Sequence, residues 1–306
     1  MMTYPRVLAV GDGAVTIELG STLDEGTIGR VRTLDERLRA RLLPGVIEAI
    51  PTYAALMVIY DRFRLPFEEL SAVLLRLAQG VERADEAGRL VEIPAVYDGE
   101  DLLEVADACG LTPGAVVDLH SGRDYSVLML GFSPGFAYMG FVDERLRTPR
   151  RKTPRTRVPA GAIAIAGPQT GIYPRALPGG WNLLGRTSVQ LFNPAATDPS
   201  FLMPGDRVRF SPTSSLPPGP PAQRTDYVGS GVHLIEAGIL SAIQDGGRPG
   251  LRRVAVPLSG YADGVSARLA NTCVGNPADA PVVEICGPGL RIAFEKATFV
   301  AVSGAR

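Results

Sequence analysis

The apolar residues of this chain repeat with two periods, and the two periods divide it into elements. VLAV (7–10) and VTIEL (15–19) alternate in the manner of half-buried strands, and GVIEAI and AALMVIY supply two more, joined by Pro51-Thr52. Between the pairs, Ile28, Val31, Leu34, Leu38 and Leu42 recur every three or four residues and predict a helix from about Glu25 to Leu43 with one apolar stripe. A second helix is expected after Pro66, with Leu70, Val73, Leu74 and Leu77 inward and Gly80 near its end. With LVEIP (90–94) as a further strand, the order is close to β-α-β-β-α-β. That order predicts a ferredoxin-like α+β sandwich over 1–94.

Beyond Pro94 the pattern shortens. DLLEVADAC stops at Gly110, and PGAVVDLH opens on Thr112 as cap with Pro113 at the first helical position. DYSVLMLGF, AIAIAG, TSVQLF and DRVRFSP then read as short strands. So many short strands need their edges protected, so 95–211 is expected to close into a β barrel. PTSSLPPGPPAQ carries almost no apolar side chains and marks a semi-rigid linker over 212–227. From 228 to 306 a further β-rich unit is expected, with one helix around Tyr261 to Thr272 and KATFVAVSGAR as its last strand. Stopping straight after a strand, this unit reads as a domain cut short.

Composition changes this picture only by exclusion. At 306 residues, 45% hydrophobic and 21% charged, the chain has ample length for buried cores. A net charge of −1 argues against general nucleic-acid binding. No secretory signal and no apolar run of membrane-spanning length is present, and Cys109, Cys273 and Cys286 lack CxxC spacing. A reducing cytoplasm and no structural metal are therefore expected.

The chemistry concentrates between Met129 and Gly185. Turn residues recur there beside Phe132, Phe136, Tyr138, Phe141, Tyr173 and Trp181 and a cationic run, Arg147, Arg150, Arg151, Lys152, Arg155 and Arg157. Rigid loops carrying cations and aromatic faces suit an anionic or carbonyl ligand. Arg155 and Arg157 are candidates for bidentate anion contact, the bland reading being a solvated loop. Prolines 149, 154 and 159 stiffen the run. His120 ends a short helix and is read either as a proton carrier or as a cap for its own last carbonyls; His233 is read as structural. Gln169, Thr170, Gly171 and Tyr173 read as a polar turn able to hold an amide N–H and C=O, or as local turn chemistry. Trp181 is a pocket wall or a barrel plug. Asp245 and Arg248 in IQDGGRPG are either part of a site or a turn with an internal ion pair. No GxxxxGK[ST] occurs, so a P-loop is absent.

GFSPGFAYMG, TPRRKTPRTRVPAGAIAIAG, QTGIYP and PGGWNLLGRT together resemble the signature blocks of the bacterial 5-oxoprolinase B-subunit family, also called KipI or allophanate hydrolase subunit 1. The resemblance covers most of 1–211. After the linker, Gln244-Asp245, Gly247-Arg248-Pro249-Gly250, Pro257, Ser259-Gly260, Asp263 and Val274-Gly275-Asn276 resemble the start of the C subunit of 5-oxoprolinase. The resemblance implies a cyclophilin-like barrel for about 95–211 and the start of a second from 228. It implies ATP-dependent opening of 5-oxoproline to glutamate, with magnesium entering on the nucleotide. The setting it implies is an oligomeric complex whose other members are A-type and full-length C-type proteins. Within it, His120, Arg155 and Gln169 are the catalytic candidates. Phe132, Pro134, Gly135, Arg157, Pro159, Thr170, Gly171, Tyr173, Trp181, Asp245 and Arg248 are the binding candidates. Two alternatives stay open: a carboxyltransferase module acting on urea or a related amide, and a KipI-type inhibitor of a histidine kinase.

Overall fold

A computed structural model describes residues 3–82, 88–219 and 231–304. The described residues divide into two units, the first reaching from the N-terminus through Gly219 and including Arg252–Val256, the second holding the remainder. Residues 220–227 of the expected linker lie outside the described residues.

The first unit opens with β1 (Arg6–Val10), β2 (Ala14–Glu18), α1 (Glu25–Ala40), β3 (Val46–Pro51), β4 (Ala55–Tyr60) and α2 (Phe67–Ala78). Helix α1 starts where Asp24 accepts from the Thr27 backbone N–H at 2.8 Å, satisfying one of the free donors of the first turn. Val31, Leu34 and Leu38 of its stripe are buried against the sheet together with Leu70 and Leu74 of α2, and Ile28 at its start is buried as well. The helix ends at Ala40, so Leu42 is not on that stripe: it adopts a φ of +46° and is exposed.

The sheet order is β1-β2-β4-β3, antiparallel throughout. This corrects the ferredoxin-like expectation. That fold needs the strand after α2 at the edge beside β2, but β1 already pairs there residue for residue. The displaced strand, β5 (Leu90–Ala95), instead runs parallel to β13 (Arg207–Pro212).

That pairing makes β5 one end of a second, seven-stranded sheet. Helices α3 (Leu102–Cys109) and α4 (Pro113–Ser121) follow it, as the capping residues predict. Gly110 closes α3 with a φ of +66°, and Thr112 accepts from Ala115 N–H to open α4. The remaining strands are β6 (Asp124–Leu130), β7 (Ala137–Gly140), β8 (Arg155–Val158), β9 (Ala162–Ala166), β10 (Gln169–Ile172), β11 (Leu177–Gly179) and β12 (Asn182–Arg186). The order is β12-β9-β10-β7-β6-β13-β5. Its two ends meet, because Val96, just past β5, and Arg186, the last residue of β12, exchange backbone hydrogen bonds of 2.9 and 2.8 Å. The sheet is thereby a nearly closed barrel that leaves little free edge, consistent with the cyclophilin-like expectation. β8 and β11 form a separate ribbon.

Two strand assignments change. QTGI is strand β10, not a turn, and it is buried throughout between β7 and β9. TSVQLF is not a strand; β12 lies just before it, and Thr187 leaves the ladder to bond Gly161.

In the second unit, β14 (Val232–Ala237) pairs with β17 (Leu290–Phe294) and β15 (Leu240–Gln244) with β16 (Val282–Cys286). Helix α5 (Gly264–Cys273) is capped by Asp263, which accepts from Val265 and Ser266 N–H. Residues 297–303, expected as a strand, pair with none of the described strands. No described helix is long and apolar enough to cross a membrane.

Candidate active site

The glycine and proline loops converge on an aromatic cluster beside β7 and β10 of the barrel sheet. Phe136 packs edge-to-face on Tyr138, Tyr173 and Trp181, with ring centroids 4.9 to 5.6 Å apart. β7 and β10 supply this geometry, since Tyr138 pairs with Gly171 across the ladder. A side chain at Gly171 would meet Phe136 and Trp181 at about 3.1 Å, so the bare backbone is what lets the rings close over it. Phe132 joins from the GFSPGF loop, 5.3 Å from Phe136 and 6.4 Å from Tyr173. Its φ of +64° is uncommon for an aromatic residue, and the residue is 60% exposed. Pro134 and Gly135 complete that turn, and Gly135 sits so close to the Leu191–Phe192 backbone that no Cβ fits.

The polar margin of the cluster comes from two directions. Tyr53, at the tip of the β3–β4 hairpin, stacks edge-on against Tyr138 at 5.8 Å and accepts a 2.9 Å hydrogen bond from Gln169 Nε2. The Gln169 carbonyl oxygen makes no hydrogen bond among the described residues. Burial pushes the Tyr53 and Tyr138 hydroxyls above the usual tyrosine range, so both stay protonated at neutral pH. Arg150 lies over the Trp181 ring at 6.0 Å. It makes no hydrogen bond or ion pair among the described residues, and its charge acts on Tyr53, Tyr138 and Tyr173.

The other arginines of the run are differently employed. Arg151 Nη1 and Arg155 Nη2 each donate to Asp101 Oδ1 at 2.7 Å, while Asp101 Oδ2 accepts from Leu183 N–H at the same distance. Asp101 is buried, so this is a structural clamp fastening the 150s loop to α3 and β12. Arg155 also reaches Glu100 at 3.3 Å, and Arg151 reaches Glu104 at 2.9 Å. Arg157 and Pro159 are exposed on either side of Val158.

His120 is placed away from solvent. Its Nδ1 is 2.7 Å from the Tyr97 hydroxyl and its Nε2 is 2.8 Å from Thr170 Oγ1, which donates onward to the Ala164 carbonyl. This chain of donors sets the tautomer, with Tyr97 O–H donating to Nδ1 and Nε2–H donating to Thr170. Burial lowers the imidazole pKa to about 3. The ring packs against Phe210 and Tyr125 and is neutral at physiological pH, so the helix C-terminus does not hold an imidazolium here. Nor does it cap its own carbonyl: Tyr125 O–H donates to His120 O at 2.8 Å.

The structure thus brings Phe132, Gln169, Gly171, Tyr173 and Trp181 together, and buries His120 and Thr170 against each other. Asp245 and Arg248 lie in the second unit, where Asp245 accepts from Gly247 N–H in a local turn. His233, in the second unit, pairs with Glu295 at 2.8 Å. Tyr53 is not singled out by the sequence; an aromatic residue at a Pro-Thr hairpin tip is its only signal. No group of three or more His, Cys, Asp or Glu side chains able to hold a metal occurs among the described residues.

Residues 5–202 match the family described as carboxyltransferase domain, subdomain C and D, and residues 254–306 match carboxyltransferase domain, subdomain A and B. The B subunit of 5-oxoprolinase from Escherichia coli O157:H7 is 44% identical over 214 residues, 69% of this chain and 97% of that protein. A further stretch of 72 residues is 40% identical to the C subunit of 5-oxoprolinase from Escherichia coli K12, 24% of this chain and 23% of that protein. The crystal structure of TTHA0988 superposes with a TM-score of 0.78 at 41% identity over 92% of this chain, which spans 57% of that one.

Proposed function

The chain belongs to the carboxyltransferase subdomain C and D family, and from that membership we propose that it serves as the B-type component of a 5-oxoprolinase complex. The observation that carries this is the match along nearly the whole of a 5-oxoprolinase B subunit, joined in one chain to a segment like the C subunit. The reaction adds water across the ring C–N bond of 5-oxoproline, releasing a carboxylate and an amine.

The aromatic cluster supports a binding role in that reaction. A lactam presents one N–H, one C=O and, here, one carboxylate. In the proposed pose the N–H donates to the Gln169 carbonyl oxygen, the Tyr53 hydroxyl donates to the lactam oxygen, and Arg150 faces the carboxylate. Phe136, Tyr138 and Trp181 give the ring an apolar wall and keep water from it. A donor held on the lactam oxygen fixes the orientation of the ring. His120 positions β10 through Thr170, and Arg155 positions the loop that carries Arg150.

ATP, when bound in the complex, would supply a phosphoryl group to activate the lactam. The described residues do not assemble a cradle for a magnesium nucleotide. Arg151 and Arg155 are held by Asp101, Arg150 and Arg157 stand exposed, and no group of three or more His, Cys, Asp or Glu side chains able to hold a metal occurs among the described residues. The role left to these residues is to bind and orient the lactam.

The carboxyltransferase description of the family favours one second reading, carboxyl transfer to an amide nitrogen, which the same N–H and C=O contacts would serve. The two separate in a reconstitution of this chain with an A-type and a full-length C-type protein. Consumption of 5-oxoproline with glutamate formed only while ATP is hydrolysed is the expected result. Carboxylation of urea from carboxybiotin, without 5-oxoproline turnover, would replace the first reading by the second.

A further inference from the structure

Away from the aromatic cluster, a cavity of about 150 Å³ lies where α1 faces the β3–β4 hairpin and the Met203-Pro204 turn of the barrel. Ile28, Val31 and Leu128 form apolar lining, and Arg32, Asp35, Glu36, Arg39 and Arg253 bring charge to it. Asp35 is 4% exposed. Its Oδ2 lies 3.2 Å from Arg39 Nε, whereas its Oδ1 is enclosed without any hydrogen-bond partner. A buried carboxylate oxygen with no donor is costly, and desolvation pushes the Asp35 carboxyl up despite the opposing pull of Arg39 and Arg253. Arg253, for its part, is a partly buried cation with no hydrogen bond or ion pair among the described residues, and desolvation lowers its pKa.

The cavity therefore contains an acceptor that lacks a donor and a cation that no ion pair neutralises, although Asp35 and Asp198 attract it at longer range. Water satisfies the first alone, and a simple anion the second alone. An ammonium and a carboxylate on one small molecule satisfy both. We propose that this cavity is a binding site for a small amino acid, its ammonium on Asp35 Oδ1 and its carboxylate against Arg253. The size agrees: at roughly 30 Å³ for each water in the liquid, the space of about 150 Å³ holds about five waters, room for a compact amino acid. The apolar lining takes the methylene carbons. The proposal does not rest on the 5-oxoprolinase reading, since the cavity lining and the aromatic cluster share no residue.

Calorimetric titration of the full chain tests it, with L-glutamate and L-serine as probes and propionate and inorganic phosphate as comparators. Saturable binding of an amino acid, at least tenfold tighter than propionate or phosphate, is expected. Asp35→Asn and Arg253→Gln should each weaken it tenfold or more. Should Asp35→Asn fail to fold, Arg253→Gln decides, because its side chain is only half-buried. No heat from either amino acid overturns the proposal. So does phosphate binding as tightly as the amino acids, or binding unchanged in Arg253→Gln. Binding abolished by Arg150→Ala but untouched by Arg253→Gln belongs to the aromatic cluster and overturns it as well.

Discussion

Gln169 Nε2 donates to the Tyr53 hydroxyl at 2.9 Å across a sequence separation of 116 residues, tying the tip of the β3–β4 hairpin to strand β10 of the barrel. The bond leaves the phenol O–H and the amide carbonyl both free to meet a ligand. Tyr53→Phe keeps the ring against Tyr138 and removes only that donor. Stability should fall by no more than about 1.5 kcal/mol, the net worth of an ordinary hydrogen bond. In the reconstituted complex kcat/KM for 5-oxoproline should drop about tenfold or more, equivalent to at least about 1.4 kcal/mol. Steady-state kinetics beside thermal denaturation checks both, and full activity would remove Tyr53 from the site.

Arg150 and Arg155 stand five residues apart, yet opposite behaviour is expected of them. Arg155→Ala leaves buried Asp101 with one guanidinium instead of two, and a partner removed from a buried pair costs up to about 3–5 kcal/mol. Arg151 remains to share the charge, so a loss of about 2 kcal/mol is expected, visible as a lower Tm. Arg150→Ala should leave Tm unchanged and weaken 5-oxoproline binding about tenfold. A stable Arg155→Ala protein with impaired ligand affinity would reverse the assignment and restore Arg155 as the anion contact.

His120 makes a pH prediction with a definite sign. Its pKa is about 3 in the folded protein and about 6.5 in an unfolded chain. Between these values the unfolded state binds the extra proton, so stability rises with pH there. The contribution is fully present above about pH 6.5 and is lost as pH falls, by about 1.4 kcal/mol per unit. His120→Gln offers an acceptor to Tyr97 and a donor to Thr170 without titrating, so it should remove this slope. Chemical denaturation of both proteins from pH 7 to pH 4 measures the difference. Parallel curves would show that His120 titrates normally. Intact turnover per folded His120→Gln molecule would confirm that it positions rather than transfers protons.

Local signals were legible and non-local ones were not. Thr112-Pro113 and Gly110 declare the ends of α4 and α3 through capping chemistry that involves only neighbours. The destination of β5 is undeclared, because LVEIP carries the same apolar pattern whether it pairs with β2 or with β13. Only the prior occupation of β2 by β1 decides it. Similarly, the aromatic and glycine residues of 129–185 mark the region of the cluster. The division of its arginines depends on Asp101, fifty residues upstream, whose burial no periodicity reveals. Tyr53 is invisible for the same reason, being brought to Gln169 by the fold alone.

Glu48 provides the last expectation. This glutamate is 5% exposed on β3, and it accepts from both the Arg252 backbone N–H at 2.6 Å and the Arg252 guanidinium at 2.8 Å. A carboxylate so enclosed depends on those donors, and Arg252–Val256 belongs to the first unit because of contacts of this kind. Val254 and Val256 add apolar burial beside it. Arg252→Ala keeps the backbone donor, so a loss of about 2 kcal/mol is expected rather than the full value of a broken buried pair. Glu48→Gln in the same background should recover part of that loss, since a neutral amide no longer needs the cation. A double-mutant cycle by urea denaturation yields the coupling, expected at about 1–3 kcal/mol. Additive effects would mean that Glu48 draws its stabilisation from elsewhere.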